Sequence, residues 1–485
     1  MHLLEQLSEQ LQPLASLWRQ RGSCLYVVGG AVRDGLLGRP LTDIDICSPL
    51  GLETVQKMLQ NTSYTLKIKN EQMGAAVISV GARDLEYTGF RRETYDSGGR
   101  HQPATVLGGA TLEEDARRRD FTVNALYWDL NQNCVIDPLE RGLEDLRLKR
   151  LWTTSKDPDE ILKDDGVRIL RLVRLGCQMD FHIPKEVLLS AKKYAKQLKN
   201  ISKVALRGEL DRILLLDGRS EAIKQGGTQG ITRIKRALLL LKGIGALEIL
   251  FPPLALGESC RQNPTYHKYT VLLHNINTCE KMDSVLKLRL AGLLHDVGKP
   301  LAWEKNQNMH EHQQIGAEIA WDLLREYGYP AKLVRQVVQL IQEHMFDLTG
   351  KAKRATIVRK IIALGPEEFE ELICLRRADE LGSGLLGQSK TADHWQSILD
   401  HMKKSHAPFS VRELAIGGRE LKERFPDIQG EEIRAMLERL LLICAKKPSQ
   451  NHAERLMNHA KRMINDIKRE VKNRRRIHGY GQEEG

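Results

Sequence analysis

The stretch Tyr26 to Ile46, YVVGGAVRDGLLGRPLTDIDI, holds the residues whose types and spacing best suit chemistry. Asp43 and Asp45 alternate with Ile44 and Ile46. On a strand, residues i and i+2 share a face, so the two carboxylates are expected side by side with the isoleucines toward a core. Acids held that close repel unless a cation lies between them, and hard oxygen ligands suit Mg²⁺. Upstream, the apolar run Tyr26, Val27, Val28 enters Gly29-Gly30, and a periodic stretch with Arg33 and Asp34 follows. That order predicts strand, glycine turn, short helix and a second strand bearing both acids. The glycine turn lets backbone N–H groups of Gly29 and Gly30 approach phosphate at a helix N-terminus, with Arg33 as a charge clamp. The alternative is a buried turn followed by an ordinary acidic loop. The joint order favours metal-assisted nucleotide chemistry.

Further along, Glu86 in LEYTGFRRETY either completes or orients a metal site with Asp43 and Asp45, or braces a helix end or an arginine; both readings stand. Arg91 and Arg92 follow it and suit phosphate, or are simply solvated. In LEEDARRRDFTVNAL, Arg118 and Arg119 precede a strand-like run containing Asn124. Guanidiniums bind triphosphate oxygens in bidentate fashion, and Asp120 is expected to fix their orientation. VIDPLERGLEDL reads as a structural turn, with Asp145 capping or pairing. In DDGVRILRLVRL the spacing puts Asp165 and Arg168 one helical turn apart, continued by Arg171 and Arg174, while Ile169, Leu172 and Val173 face inward. An aspartate accepts hydrogen bonds and an arginine only donates. Cytosine and adenine each offer an amine beside a bare ring nitrogen, whereas uracil and guanine offer a carbonyl beside a ring N–H. An Asp/Arg pair facing the base accepts C and A and rejects U and G without a nucleic-acid template. The alternative is an i,i+3 salt bridge worth about 0.3 kcal/mol. Next to the Asp43/Asp45 pair, base reading is preferred.

The elements that must position these groups follow from patterning. Residues 1–20 read as a lead-in helix. From about 24 to 152 strands and helices mix, with Ala75–Val80 and Leu85–Phe90 as neighbouring strands around a turn at 81–84. TYDSGGRHQP (Thr94 to Pro103) is polar and glycine-rich and reads as a mobile loop. After about residue 157 the apolar period is helical throughout, punctuated by Gly226-Gly227 and Pro252-Pro253. The chain ends in a basic tail, Lys468 to Arg476, and the last few residues read as disordered.

A length of 485 residues accommodates several domains, and 41% hydrophobic with 28% charged residues is a globular composition. The net charge of +11 favours a polyanionic partner over generic surface charge. Eight dispersed cysteines form no CxxC pair, which points to a reducing interior. The amphipathic N-terminus lacks the basic start and continuous apolar core of a secretory signal. No run approaches the ~18 apolar residues of a membrane span, so the expected location is cytoplasmic, with no membrane partner.

Together these segments resemble the class II tRNA nucleotidyltransferases, the group that includes CCA-adding enzymes and bacterial poly(A) polymerases. The likeness rests on GGAVRD with DID (Gly29 to Asp45), RRDFTVNAL (Arg118 to Leu126), DP…G..DL (Asp137 to Leu146) and the template-helix pattern at Asp164 to Arg168. LRGELDRILL and ALEILFPPL are similar to neck and body helices, and ELAIGGRELKERFPDIQGEEI to a tRNA-binding tail. The resemblance implies an α+β chain, with a polymerase-β-like nucleotidyltransferase head built on a mixed sheet and all-α neck, body, HD and tail helices after it. The implied division is 1–152 head, 153–260 neck and body, 261–400 HD domain and 401–485 tail. It implies untemplated transfer of CMP and AMP from CTP and ATP to a tRNA 3′ end. Asp43 and Asp45 would bind Mg²⁺, Gly30, Arg33 and Arg119 would hold triphosphate, and Asp165 and Arg168 would read the base with Arg171 and Arg174 nearby. Asp164 stands where the family has glutamate, and Leu175 follows Arg174 where phenylalanine is common; both bear on the order of nucleotides. The presence of loop 94–103, able to swing between C and A modes, weighs against an enzyme that adds only CC.

The module YHKYTVLLHNINTCE…LLHDVGKP…MHEHQQ…LIQEHMF…LRRADELG resembles an HD phosphohydrolase domain. By that likeness His274, His295, Asp296 and Asp379 form a four-ligand site for Mn²⁺, Fe²⁺, Ni²⁺ or Mg²⁺, and His312 and His344 match the extra positions of binuclear members. His267 and His310 read as surface or supporting residues. The implied reaction is phosphodiester or phosphomonoester hydrolysis, as in trimming a damaged or cyclic RNA 3′ end. Competing readings are a metallohydrolase whose N-terminal part only delivers RNA, and a poly(A)-, A- or CC-adding polymerase. A non-catalytic RNA binder would not need two sets of acidic ligands. If the base-reading argument holds, Asp165→Ala or Arg168→Ala lets UTP and GTP compete in an incorporation assay; unchanged selectivity discards it.

Overall fold

The apolar run ahead of Gly29 becomes strand β1 (Tyr26–Val28) in the computed structural model, which describes residues 1–217, 231–385 and 387–479, with side chains as far as 473. The Gly226-Gly227 pair and the final residues lie outside that range. β1 sits inside a seven-stranded sheet with β2 (Asp45–Ser48), β3 (Thr65–Asn70), β4 (Ala75–Val80), β5 (Arg83–Gly89), β8 (Tyr127–Asp129) and β9 (Cys134–Ile136). Their order is β3-β4-β5-β2-β1-β8-β9. Only β2 and β5 run parallel, which makes the sheet mixed. β6 (Arg91–Thr94) and β7 (Thr105–Gly108) form a separate antiparallel pair.

Helix α1 (His2–Gln20) buries Leu4, Leu7, Leu11, Leu14 and Trp18, the i, i+3, i+4 stripe of an amphipathic helix. Two indoles fasten it: Trp18 Nε1 donates to Ser48 Oγ at 2.8 Å, and Trp128 Nε1 donates to Ser8 Oγ at 2.7 Å. α2 (Gly30–Leu36), α3 (Leu52–Leu59), α4 (Leu112–Arg117), α5 (Gly142–Arg147) and α6 (Pro158–Leu162) punctuate the strands and follow them. Thr111 and Glu114 start α4 with a reciprocal capping box. The run after Asp120 is not a strand at its start: Thr122–Asn124 makes a 3-10 turn, and pairing begins only at Tyr127. Thr122 donates to Asp145 and Asn124 to Asp120, so side-chain bonds override local β-propensity. Helices α7 (Val167–Met179), α8 (Lys185–Tyr194) and α9 (Lys203–Leu214) open the helical part. No strand beyond β9 occurs among the described residues.

The chain divides into two compact units, Met1–Ala255 with Leu323–Pro330, and Leu256–Asp322 with Ala331–Gly485. The second is all helix. Val271–Lys281, Leu286–Leu294, His312–Glu326, Ala331–Glu343 and Pro366–Gly382 carry its histidines and acids, and a separate core of Leu421, Met436, Leu440, Leu456 and Ile467 closes its C-terminal part. No described helix is long and apolar enough to cross a membrane.

Gly298 lets the loop after Asp296 touch the start of the helix His312–Glu326. A Cβ there would strike the His312 carbonyl and approach the Gly316 amide nitrogen to 2.6 Å, both backbone atoms. Gly298→Ala is therefore expected to destabilise the second unit by about 1–3 kcal/mol, read as a lowered thermal midpoint. An unchanged midpoint contradicts this packing.

Candidate functional site

A cleft of about 2050 Å³ in the first unit gathers the nucleotide-site residues singled out by sequence. Gly29, Gly30, Arg33, Asp43, Asp45 and Glu86 lie along it, as do Arg118, Arg119, Asp120, Asp165, Arg168, Arg171 and Arg174. Gly29 takes φ +76, a conformation glycine adopts without strain, and caps α2. Its missing Cβ would lie 3.8 Å from Asp45 Oδ2 and 3.9 Å from Arg119 Nη1, so the turn brings backbone between the acid and the arginine.

One detail of the acid pair differs from expectation. Asp45 opens β2, but Asp43 is exposed in the bend before it and Ile44 is only half-buried. The β1–β2 ladder ends at Val28–Asp45 because Gly29 turns β1 away, which leaves Asp43 no partner strand there. Glu86 stands opposite Asp45 on the parallel strand β5, yet its carboxylate pairs at 2.6 Å with Lys69 on β3, neither a helix end nor an arginine. The three acids do not form a tight cluster of the kind found in the second unit. Burial pushes the Asp45 carboxyl up to about 6; Arg119 opposes the rise, and Glu86 and Asp43 add to it. No protein donor is bonded to Asp43 or Asp45 among the described residues. Two such carboxylates in a polar cleft fit a divalent cation.

Buried carboxylates aim the arginines. Asp115, fully buried, accepts from Arg118 Nε at 2.8 Å, Arg119 Nη2 at 2.9 Å and the Tyr127 hydroxyl at 2.6 Å. This corrects the role expected of Asp120. That residue bonds Asn124 at 3.0 Å and Arg171 Nε at 2.7 Å instead, because its side chain turns toward α7. Arg33 is buried, donating to Asn124 Oδ1 at 2.6 Å and to Asp34. Glu209 on α9 holds Arg174 at 2.5 Å and Arg212 at 3.0 Å. Asp115 was detectable at i−3 and i−4 from the two arginines; Glu209 and Glu93, which binds Arg118 from β6, reach the site only through tertiary folding.

Asp165 is not on the helix with Arg168. It precedes α7, and its Oδ1 accepts from the Val167 amide at 2.8 Å, a short-range bond that favours the position ahead of a helix. No Asp165–Arg168 ion pair occurs among the described residues. Arg168 donates to the carbonyls of Ile161 at 3.0 Å and Arg118 at 2.9 Å, with the Tyr95 ring against it. Ile169, Leu172 and Val173 are fully buried, as patterned. The glycine-rich loop is tethered to this end: Gly99 accepts from the Gly166 amide at 2.9 Å, Gly98 from Asn200 at 2.7 Å, and His101 Nδ1 lies 3.0 Å from Asp165 Oδ2.

The second unit brings all six predicted ligands together as two buried triads, His274/His295/Asp379 and Asp296/His312/His344. Asp296 spans them, its Oδ2 3.4 Å from both His274 and His295 Nε2, its Oδ1 3.1 Å from His312 Nε2. His274 and His295 present Nε2 atoms 3.1 Å apart, and His312 and His344 present theirs 3.2 Å apart. Nδ1 of His295, His312 and His344 each faces a backbone carbonyl three residues earlier, at 3.0, 2.7 and 2.6 Å. Such bonds leave Nε2 as the free lone pair, the tautomer a metal needs. Burial works against the charge on Asp296, but Lys299 at 2.5 Å and His295 hold its carboxyl well below the usual range. Imidazole and carboxylate ligands converging in two groups fit two divalent ions. His310 is exposed, and His267 packs its ring 4.7 Å from that of His274.

Residues 25–152 match the Poly A polymerase head domain, and residues 266–383 match the HD domain. A CC-adding tRNA nucleotidyltransferase of Thermus thermophilus is 27% identical over 431 residues, spanning 86% of this chain and 88% of its own. These matches support a class II tRNA nucleotidyltransferase, the group that includes the CCA-adding enzymes. A CCA-adding enzyme of Streptococcus pyogenes is 36% identical over 203 residues, 42% of this nucleotidyltransferase and 48% of its own length. The solved CCA-adding enzyme of Bacillus stearothermophilus, in complex with CTP, shares the fold with a TM-score of 0.64 at 20% identity, over 96% of this chain and 99% of that one. The α+β organisation, with its mixed-sheet head and helical remainder, matches that of the solved CCA-adding enzymes. Both the nucleotidyltransferase head and the HD domain imply dependence on divalent metal.

In this nucleotidyltransferase Asp120 carries a readable pH signature. Burial alone would raise its carboxyl; Arg171 and the Asn124 amide overcome burial and bring it to about 2. A depressed folded value stabilises above the unfolded one near 4 and is lost as pH falls through about 2. Asp120→Asn is expected to cost on the order of 2 kcal/mol near pH 6, with the difference closing toward pH 2 in urea melts. A pH-independent difference contradicts the pairing.

Proposed function

We propose that this enzyme adds CMP and AMP from CTP and ATP, without a template, to the 3′ ends of tRNA. The observation that carries the reading is the meeting, in one cleft, of unpartnered acids, carboxylate-held arginines and the Asp165/Arg168 end of α7. Mg²⁺ held by Asp43 and Asp45 would supply charge to activate the RNA 3′-hydroxyl and to steady leaving pyrophosphate. Glu86, beside Asp45 on the neighbouring strand, is the acid placed to join them when Lys69 gives way. Arg33, Arg118 and Arg119 bind triphosphate oxygens, and the Gly29-Gly30 turn offers the backbone approach that phosphate needs. Asp165 accepts the exocyclic amine of cytosine or adenine, and Arg168 donates to the bare ring nitrogen. Arg171 and Arg174 extend the positive wall of the cleft.

The four-part division proposed on this reading is head 1–152, neck and body 153–260, HD domain 261–400 and tRNA-binding tail 401–485. The long final helix, Ala453–Gly479, with Lys461, Arg462, Lys468 and Arg469, suits contact with tRNA phosphates. Eight free cysteines suit a reducing cytoplasm. His274, His295, Asp296, Asp379, His312 and His344 would hold two ions of the Mn²⁺, Fe²⁺, Ni²⁺ or Mg²⁺ class for phosphoester hydrolysis, with Lys299 as anion clamp.

Incubation with tRNA ending at the discriminator base, at C or at CC, plus labelled CTP or ATP, distinguishes CC-only, A-only and complete CCA addition by product size. Asp43→Ala with Asp45→Ala is expected to abolish incorporation while metal-dependent phosphoester hydrolysis persists. His295→Ala is expected to do the reverse. Undiminished incorporation by the double variant overturns the polymerase assignment, and hydrolysis surviving His295→Ala overturns that of the second site.

A further inference from the structure

Glu93 lies on β6, beside the Arg91-Arg92 pair but with no role in the reading of the nucleotide site above. Its carboxylate is buried, with the side chain 4% exposed, and it is surrounded by donors. Oε1 accepts from Arg91 Nε at 2.7 Å and from Arg118 Nη1 at 3.0 Å, and Oε2 accepts from the Tyr95 hydroxyl at 2.7 Å. Tyr95 lays its ring on the guanidinium of Arg168, whose Cζ is 5.2 Å from the ring centroid and whose Nη2 is 3.4 Å from the hydroxyl. Arg168 Nη2 also returns to the Arg118 carbonyl at 2.9 Å. The contacts Arg118, Glu93, Tyr95, Arg168 and back to Arg118 close a ring. It joins the side chain assigned to triphosphate with the one assigned to the base.

We propose that Glu93 and Tyr95 are positioning residues that couple the triphosphate end of the nucleotide site to its base-reading end, and so govern nucleotide choice as well as affinity. The proposal rests on the base-reading role assigned to Asp165 and Arg168. A carboxylate removed from water survives only when its charge and lone pairs are met, and here two guanidiniums and a phenol meet them. Burial would raise the Glu93 carboxyl, yet Arg118 and Arg91 keep it below its ordinary value. A triphosphate oxygen arriving at Arg118 competes with Glu93 for the same guanidinium. The Glu93 carboxylate that then relaxes is the one fixing the Tyr95 hydroxyl, and the Tyr95 ring fixes the plane of Arg168. Base discrimination depends on that plane, because a guanidinium donates only along its edge.

The arginines have other anchors: Arg91 also donates to the Met73 carbonyl at 2.5 Å, and Arg118 to Asp115. Tyr95 has no such reserve, so removing its hydroxyl breaks the ring while leaving both arginines held. The deciding variant is therefore Tyr95→Phe in the full chain, assayed on tRNA ending at the discriminator base with CTP and with UTP, alongside thermal melting. The ratio of kcat/KM for CTP to that for UTP is expected to fall about tenfold, the loss of one charge-assisted hydrogen bond, at an unchanged melting temperature. Glu93→Gln is expected to lose the same discrimination and also to raise KM for CTP. Wild-type discrimination by Tyr95→Phe, with discrimination lost in Arg168→Ala, overturns the coupling and leaves base reading intact. Wild-type discrimination in Arg168→Ala and Asp165→Ala as well overturns base reading too. If Glu93→Gln fails to fold, Tyr95→Phe alone decides.

Discussion

Two arginine side chains, the Tyr127 hydroxyl and the Arg91 amide meet on the carboxylate of Asp115, which has no exposure to solvent and is held near pKa 2 against its own burial by Arg119 and Arg118. A guanidinium facing a water-filled cleft would ordinarily sample many rotamers. Tied to a buried acid, it pays that entropy during folding and meets the nucleotide already aimed. The same device recurs with Asp120 on Arg171, Glu209 on Arg174 and Glu93 on Arg118. Positive charge in the cleft is thus directed by buried acids behind it. Asp43 and Asp45 are the exception, left without protein donors among the described residues.

What was legible in the sequence was whatever depends on short-range spacing. The strand, glycine turn and helix from Tyr26 to Leu36 form as patterned, and the inward faces of α1 and α7 follow their apolar periods. Misplacements arose where pairing partners set the outcome. Asp43 falls off β2 because β1 turns at Gly29, and Asp165 precedes α7 because its own carboxylate takes a backbone amide there. Asp120 spends its carboxylate on Arg171, a partner 51 residues away that no local pattern reveals. Glu93 escaped notice for the same reason, since Arg118 lies 25 residues from it across the β6–β7 pair. The second unit was easier to read. Its resemblance to an HD domain named the histidines and acids, and the fold brings all six together.

The loop from Thr94 to Pro103 shows composition and contact pulling in opposite directions. Its glycines take φ +109 and +68, conformations that leave the backbone free of side-chain restraint. Yet its carbonyls are bound by the Gly166 amide and the Asn200 amide, and His101 and Tyr95 engage Asp165 and Arg168. Three of these contacts are hydrogen bonds or ion pairs and one is a ring on a guanidinium, so the loop is tied to the start of α7 despite a composition that suits mobility.

In the second unit, three of the imidazoles bond the carbonyl three residues behind them. The backbone therefore acts as a jig, with helix carbonyls behind His295 and His344 and a loop carbonyl behind His312: ring azimuth and tautomer are set by the peptide chain. Such a cage would impose its geometry on a first-row divalent ion, and affinity alone would rank candidate occupants by the Irving–Williams series, leaving the choice among them to cellular supply.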